Sequence, residues 1–255
     1  FNFIYLSTQP ISYNFGLYKK QTLSMKKQFV ILALALAFCL QLSAQTYKID
    51  TSAINFENQL RPCFTVKYDA SPKEVKKAWD DYFKKTYDVK VKGIGFLTNK
   101  EVITATDITL VAVSDKRMNL YASVVDAPGE RSELSYFMSF GYDFFIGADN
   151  YPTEFAAMKK ILNDFSVEFL TDFYYSEASR MTSEIKGLEK DIKQNNKSIK
   201  KNTKKARKES KEVANGLSAK NTSMEMENDQ AKKKIEELSK AIDEIKVKQA
   251  GVKRN

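Results

Sequence analysis

The chain has 255 residues, 43% of them hydrophobic, two cysteines and a formal net charge of +9. It contains no histidine, which removes Ser-His and Cys-His nucleophile activation, histidine general-base catalysis and most zinc or iron sites. Composition therefore argues against most enzyme chemistry, and no catalytic, cofactor-binding or metal-ligating set is expected.

Residues 1–24 precede the first methionine and hold no acidic residue; they read as upstream sequence outside the native start. Residues 25–44 read as a signal peptide. Met25 is followed by Lys26 and Lys27, an apolar run from Phe29 to Leu40, and Leu42-Ser43-Ala44 before Gln45. A basic start, a short apolar core and a small residue at the cut are the elements of a secretion signal. The run falls short of the ~20 residues that span a bilayer, so no transmembrane span is expected after cleavage. Cys39 follows Phe38 rather than a small residue, unlike a lipid-anchor site. This leader resembles those of Gram-negative secretory proteins, which implies a periplasmic or secreted destination. Cleavage leaves Cys63 as the only thiol, so no intramolecular disulfide is available, and its strand context predicts a buried small side chain.

Residues 45–175 carry 16 Lys/Arg and 19 Asp/Glu, whereas 176–255 carry 21 and 13 and lack any aromatic residue. The first part can build a core; the second can build only a long helix. Cys63–Tyr68 alternates as a half-buried strand. Ser71-Pro72-Lys73-Glu74 then forms a capping box with proline at the first helical position. Val75, Ala78, Trp79, Tyr82 and Phe83 follow as one apolar stripe facing a sheet. Further strands are expected over 89–97, 101–113, 117–126 and 131–142, with turns at Thr98-Asn99-Lys100 and Ala127-Pro128-Gly129-Glu130. Gly93 marks a change of apolar phase and reads as a bulge. Thr153 is the expected cap of a helix burying Phe155, Met158, Leu162, Phe165 and Phe169, which leaves the sheet near Tyr175 without a break. Short turns between successive strands predict an α+β fold with a small antiparallel sheet and packed helices.

Beyond Tyr175 the seam positions step by four and three, as in a coiled coil. Met181, Ile185, Leu188, Ile192, Asn195, Ile199 and Asn202 form one series; Met224, Asn228, Ala231, Ile235, Leu238, Ile242 and Ile245 form another. The two phases disagree by one residue near Asn215-Gly216, a helix-stop dipeptide. Residues 176–255 are therefore expected to form a C-terminal coiled-coil hairpin turning near 215–222. This pairs Ile185 with Ile245, Leu188 with Ile242, Ile192 with Leu238, Ile199 with Ala231 and Asn202 with Asn228. A single continuous helix that dimerises is the rival architecture.

Residues 193–211 hold nine Lys/Arg against Glu209 alone. Within them Lys197, Lys200, Lys201, Lys204, Lys205, Arg207, Lys208 and Lys211 are candidate contacts for an anionic envelope component or protein partner, and a homo-oligomer is also open. Nucleic acid is not expected, because export separates the two and the tip has no stacking aromatic. The loop 141–152 brings Tyr142, Phe144, Phe145 and Tyr151 together as candidate walls of a ligand or partner site. The bland readings are a solvated helix face for the lysines and a core lid for the aromatics. In layout and charge, a basic helical arm on an exported domain resembles periplasmic holdase chaperones of the Skp type, although there the helical prong is inserted within the body. The functional expectations are thus a non-enzymatic envelope interaction, scaffold or spacer module, a periplasmic holdase, or a small-ligand-binding domain using the 141–152 loop.

Overall fold

The computed structural model describes residues 47–93, 102–128 and 132–252. The expected leader and the segment before it lie outside the described residues.

Strands β1 (Ile49–Phe56) and β2 (Gln59–Tyr68) form a hairpin. Its two-residue turn, Glu57-Asn58, has both φ angles positive, at 53° and 61°, the mirror-type geometry that suits strand twist. Sequence patterning placed only the second half of β2. It missed β1, because β1 is an edge strand with one buried residue, Ile49, and its turn lacks glycine. Helix α1 (Pro72–Tyr87) follows with the expected capping box: the Glu74 amide donates to Ser71 Oγ at 3.4 Å, and the Ser71 amide donates to Glu74 Oε2 at 2.8 Å. Such a cap is worth about 1 kcal/mol.

Strands β3 (Val102–Thr109), β4 (Arg117–Val125), β5 (Ser132–Phe140) and the two-residue β6 (Phe144–Phe145) complete the sheet. Its order is β1-β2-β5-β4-β3, with β6 on β5, and every pairing is antiparallel. Helix α1 carries the chain from β2 towards the far edge, and the β3-β4-β5 meander returns to pair β5 with β2. The strand expected at 89–97 contributes only an isolated bridge, Lys92 to Thr104, among the described residues. Gly93 there has φ 103°, fitting the expected irregularity. The long strand expected over 101–113 stops at Thr109 and contains a bulge between Ala105 and Ile108. Asp107 enters the left-handed region at φ 58° within it. Its amide is held by Asn119 Oδ1 at 2.9 Å, and its carbonyl accepts from Arg117 at 2.9 Å.

One sheet face packs under α1 and the start of α2 (Pro152–Ala206). Trp79 is fully buried, with ring centroids of Phe83, Phe165 and Tyr136 at 4.7, 4.8 and 5.2 Å. Phe64 stacks on Phe155 at 4.1 Å. Burying each such side chain contributes about 1.5–3 kcal/mol. Two buried polar pairs orient α2 against β2 and the chain before β1: Tyr68 Oη with Ser166 Oγ, and Tyr47 Oη donating to Asn163 Oδ1, both 2.7 Å. The opposite face carries a smaller cluster of Cys63, Phe137 and Phe145 with Ile54, Phe56, Val102 and Tyr121 packed against it.

Helix α2 runs 55 residues without interruption. Its N-cap is Tyr151 without a side-chain bond, not Thr153, which lies inside the first turn after Pro152. Proline at the first position presets the helical φ and removes one of the orphan amides of the first turn. Tyr174 is the last residue α2 buries and Tyr175 is exposed, so the helix leaves the body where the loss of aromatics indicates. After Arg207–Ser210 the chain reverses into α3 (Lys211–Ala250). The molecule is α+β, with a small antiparallel sheet, six-stranded among the described residues, and a long C-terminal helical hairpin.

Candidate functional site

The hairpin is built on a narrow seam. Along α2, positions 181, 185, 188, 192, 195, 199, 202 and 206 are shielded while their neighbours are exposed; along α3 the same holds for 214, 217, 221, 224, 228, 231, 235 and 238. That is the pattern of two helices using one face each. The α3 seam passes straight through Asn215-Gly216, so this dipeptide does not form the turn. Gly216 is helical, and a Cβ there would meet nothing within 4 Å. The one-residue phase break seen in sequence is real, but it falls at residues 207–210.

The register differs from the expected one by one heptad. Asn202 Nδ2 donates to Asn221 Oδ1 at 3.0 Å, not to Asn228, and Asn221 Nδ2 donates to Thr203 Oγ1 at 3.2 Å. Asn228 Nδ2 donates to Asn196 Oδ1 at 3.0 Å, and Asn195 Nδ2 to Glu227 Oε2 at 3.2 Å. The observed partner of Asn202 is thus seven residues from the expected one. Carrying that offset along the arm, Ile185 faces Leu238 instead of Ile245, Leu188 faces Ile235 instead of Ile242, and Ile192 faces Ala231 instead of Leu238. Ile199 faces Met224 instead of Ala231. Ile192 and Ala231 accordingly line one cavity of ≈ 330 Å³. A seven-residue slide leaves apolar seams facing each other, so Ile and Leu hardly discriminate between the registers. The asparagines do. The expected register matches one asparagine layer and sets Asn195 against Ile235; the observed one brings Asn202 level with Asn221 and Asn195 level with Asn228. An unpaired buried amide costs about 1–3 kcal/mol; the observed register gives the amide nitrogens of Asn195, Asn202, Asn221 and Asn228 each a partner and leaves only Asn228 Oδ1 of this group buried without one.

The turn carries the lysine cluster to the far end of the arm. Lys197, Lys200, Lys201, Lys204, Lys205, Arg207, Lys208 and Lys211 are all exposed. None takes part in an ion pair among the described residues, whereas Arg180, Lys232, Lys234, Lys240 and Lys246 nearer the body do. Lys193, Lys197, Lys201 and Lys205 recur at four-residue spacing, as do Lys200, Lys204 and Lys208. Like charges so spaced repel by about 0.2–0.5 kcal/mol per pair. The fold tolerates that repulsion at the tip and compensates charge elsewhere on the arm.

At the base, sequence reasoning missed the residue that ties both helices down. Asp69, just after β2, accepts from Tyr174 Oη of α2 at 3.2 Å and from Lys248 Nζ of α3. Ile245 and Val252 pack against the main core beside it. A lone aspartate at a strand end carries no signal of contacts more than a hundred residues away.

The aromatic loop does not assemble as one wall. Tyr142 and Phe144 are exposed, at 79% and 65%. Phe145 is buried on the smaller cluster, with the Arg61 guanidinium 4.1 Å from its ring. Tyr151 packs edge-on to Phe140, 5.0 Å away, on the main core side. Phe145 and Tyr151 therefore serve opposite faces of the sheet. Asn150 fixes the loop by accepting from the Gly147 amide and donating to the Phe145 carbonyl, both at 2.8 Å.

A second surface lies where α1 crosses α2. Two adjoining cavities of ≈ 390 and ≈ 430 Å³ share Tyr82, Glu168 and Asp172. Glu74, Asp81 and Asp164 also line them, as do Lys77 and Lys85, which pair with Asp81 at 3.3 Å and Glu168 at 2.8 Å.

Comparison with known protein families, curated proteins and solved structures finds no match. Among the described residues, no helix is long and apolar enough to cross a membrane.

Proposed function

We propose that this is an exported, non-enzymatic cell-envelope protein that acts as an interaction, scaffold or spacer module. The α+β body anchors one contact and the hairpin presents another at a distance. The observation that carries this reading is the placement of nine Lys/Arg within residues 193–211 around the hairpin turn. From Ser176 to Ala206 the arm reaches about 45 Å at 1.5 Å per residue. A cationic end on a stiff support suits an anionic envelope component or an acidic protein surface, because opposite charge steers encounter and selects partners. The leader read from residues 25–44 supports a periplasmic or secreted setting.

The test compares the full chain with a variant in which Lys197, Lys200, Lys201, Lys204, Lys205 and Lys208 are changed to Gln. Binding to vesicles containing lipopolysaccharide, or to a soluble polyanion, is measured at low and high salt. Wild type is expected to bind at low salt and release as salt rises, with the variant at least about tenfold weaker. Equal binding by both proteins would remove the tip from the reading.

A further inference from the structure

We infer that one anionic partner of the cationic tip is a second copy of this chain, which receives it in the acidic groove between α1 and α2. The inference rests on the tip acting as a contact surface, as proposed above, and names one of its partners.

The groove and the tip are complementary in charge. Glu74, Asp81, Asp164, Glu168 and Asp172 line the groove against Lys77 and Lys85, and Lys160 pairs with Asp164 at 3.2 Å from its edge, so the acidic side chains keep an excess of two. Half-buried Phe173 lies along its floor, above the buried rings of Phe165 and Phe169. Lysine suits such a surface because its methylene stem lies on aromatic rings while its ammonium reaches the carboxylates. No residue of a chain's own tip can enter its own groove. Helix α2 supplies both the groove wall, up to Ser176, and the arm, ending at Ala206, without a break. That places the tip about 45 Å from its own groove.

The arm's charge distribution indicates how two copies align. Its distal part, residues 193–224, holds 10 Lys/Arg against 2 Asp/Glu. Its proximal parts, 176–192 and 225–250, together hold 9 against 11. Two arms laid side by side and antiparallel set each distal part over the other's proximal part and bring each tip to the groove at the other's base. A twofold axis makes both contacts at once and closes the assembly at a dimer. Because both helical seams are already used within the hairpin, this pairing is chiefly electrostatic and therefore salt-sensitive.

The test measures the mass of the full chain in solution by light scattering. A dimer is expected at about 50 mM salt and a monomer at about 500 mM, where screening shortens the reach of charge to a few ångströms. Two variants separate the surfaces: Lys200→Glu/Lys201→Glu/Lys204→Glu/Lys205→Glu at the tip, and Asp81→Lys/Asp172→Lys in the groove. Each alone is expected to be monomeric at low salt with helicity retained by circular dichroism. Their equimolar mixture is expected to regain the dimer, because each reversed surface then meets a reversed partner. Persistence of the dimer in either variant alone, or failure of the mixture to associate, would overturn the inference. So would a wild-type chain that is monomeric at low salt; if it still binds the polyanion, the cationic-tip reading survives and only the second copy is lost. A chain that stays monomeric while its groove takes up a lysine-rich peptide would assign the groove to a different protein.

Discussion

Cys63 and Tyr47 show how single residues register the packing around them. Burial, then the nearby Glu133 carboxylate, pushes the Cys63 thiol up to about 11, partly offset by a hydrogen bond with Ser52. The side chain is fully buried, as its strand position predicts. Thiol reagents act on the thiolate, so native protein at pH 8 is expected to resist modification that proceeds at once in denaturant. Rapid labelling of the folded chain would contradict the packing. Burial, then Asp164, likewise pushes the Tyr47 hydroxyl up to about 12. Both folded values lie above the ordinary ones of 9.0 and 10.0, so the folded state prefers the protonated forms. Their contribution is complete below about pH 9 and is lost as pH rises towards 11–12. The urea midpoint is therefore expected to fall through that range. A midpoint rising between pH 9 and 12 would refute the assignment.

Among the elements, the hairpin separates what pattern can specify from what it leaves open. The steps of three and four residues locate both helices, the apolar seam and the phase break, but a heptad repeat is nearly indifferent to a slide of one heptad. Asparagine pairing and the turn at 207–210 resolve it. Gly216, inside α3 with open space around its missing side chain, gives a direct check. Gly216→Ala is expected to raise stability by about 1 kcal/mol, the helix-interior difference between the two residues. Were Gly216 the turn, the same change would lower the melting temperature. Cysteines at Ile185 and Leu238 are expected to cross-link within one chain, whereas a pair at Ile185 and Ile245 is not; the reverse result would restore the alternative register. Strand β1 and the bulge in β3 were less legible for a related reason. An edge strand buries little, and a left-handed aspartate such as Asp107 is set by Asn119 and Arg117 from the neighbouring strand.

For the whole molecule, Asp69 ties the body to the arm through Tyr174 and Lys248. Asp69→Ala is expected to speed hydrogen exchange in the last turns of α3. The global cost should be about 1 kcal/mol or less, because the ion pair is partly exposed and screened. Unchanged exchange there would show that Ile245 and Val252 alone hold the helix end. By itself, the sequence determined the α+β class, the capping box at Ser71, the exit of α2 near Tyr175 and the concentration of lysine in 193–211, because local periodicity and composition encode each of them. The tertiary structure alone decided the hairpin register, the separation of Phe145 from Tyr151 across the sheet, the clasp at Asp69 and the acidic groove between α1 and α2. Each of these depends on side chains that meet only after distant segments have packed, and no local pattern records which of several compatible partners wins.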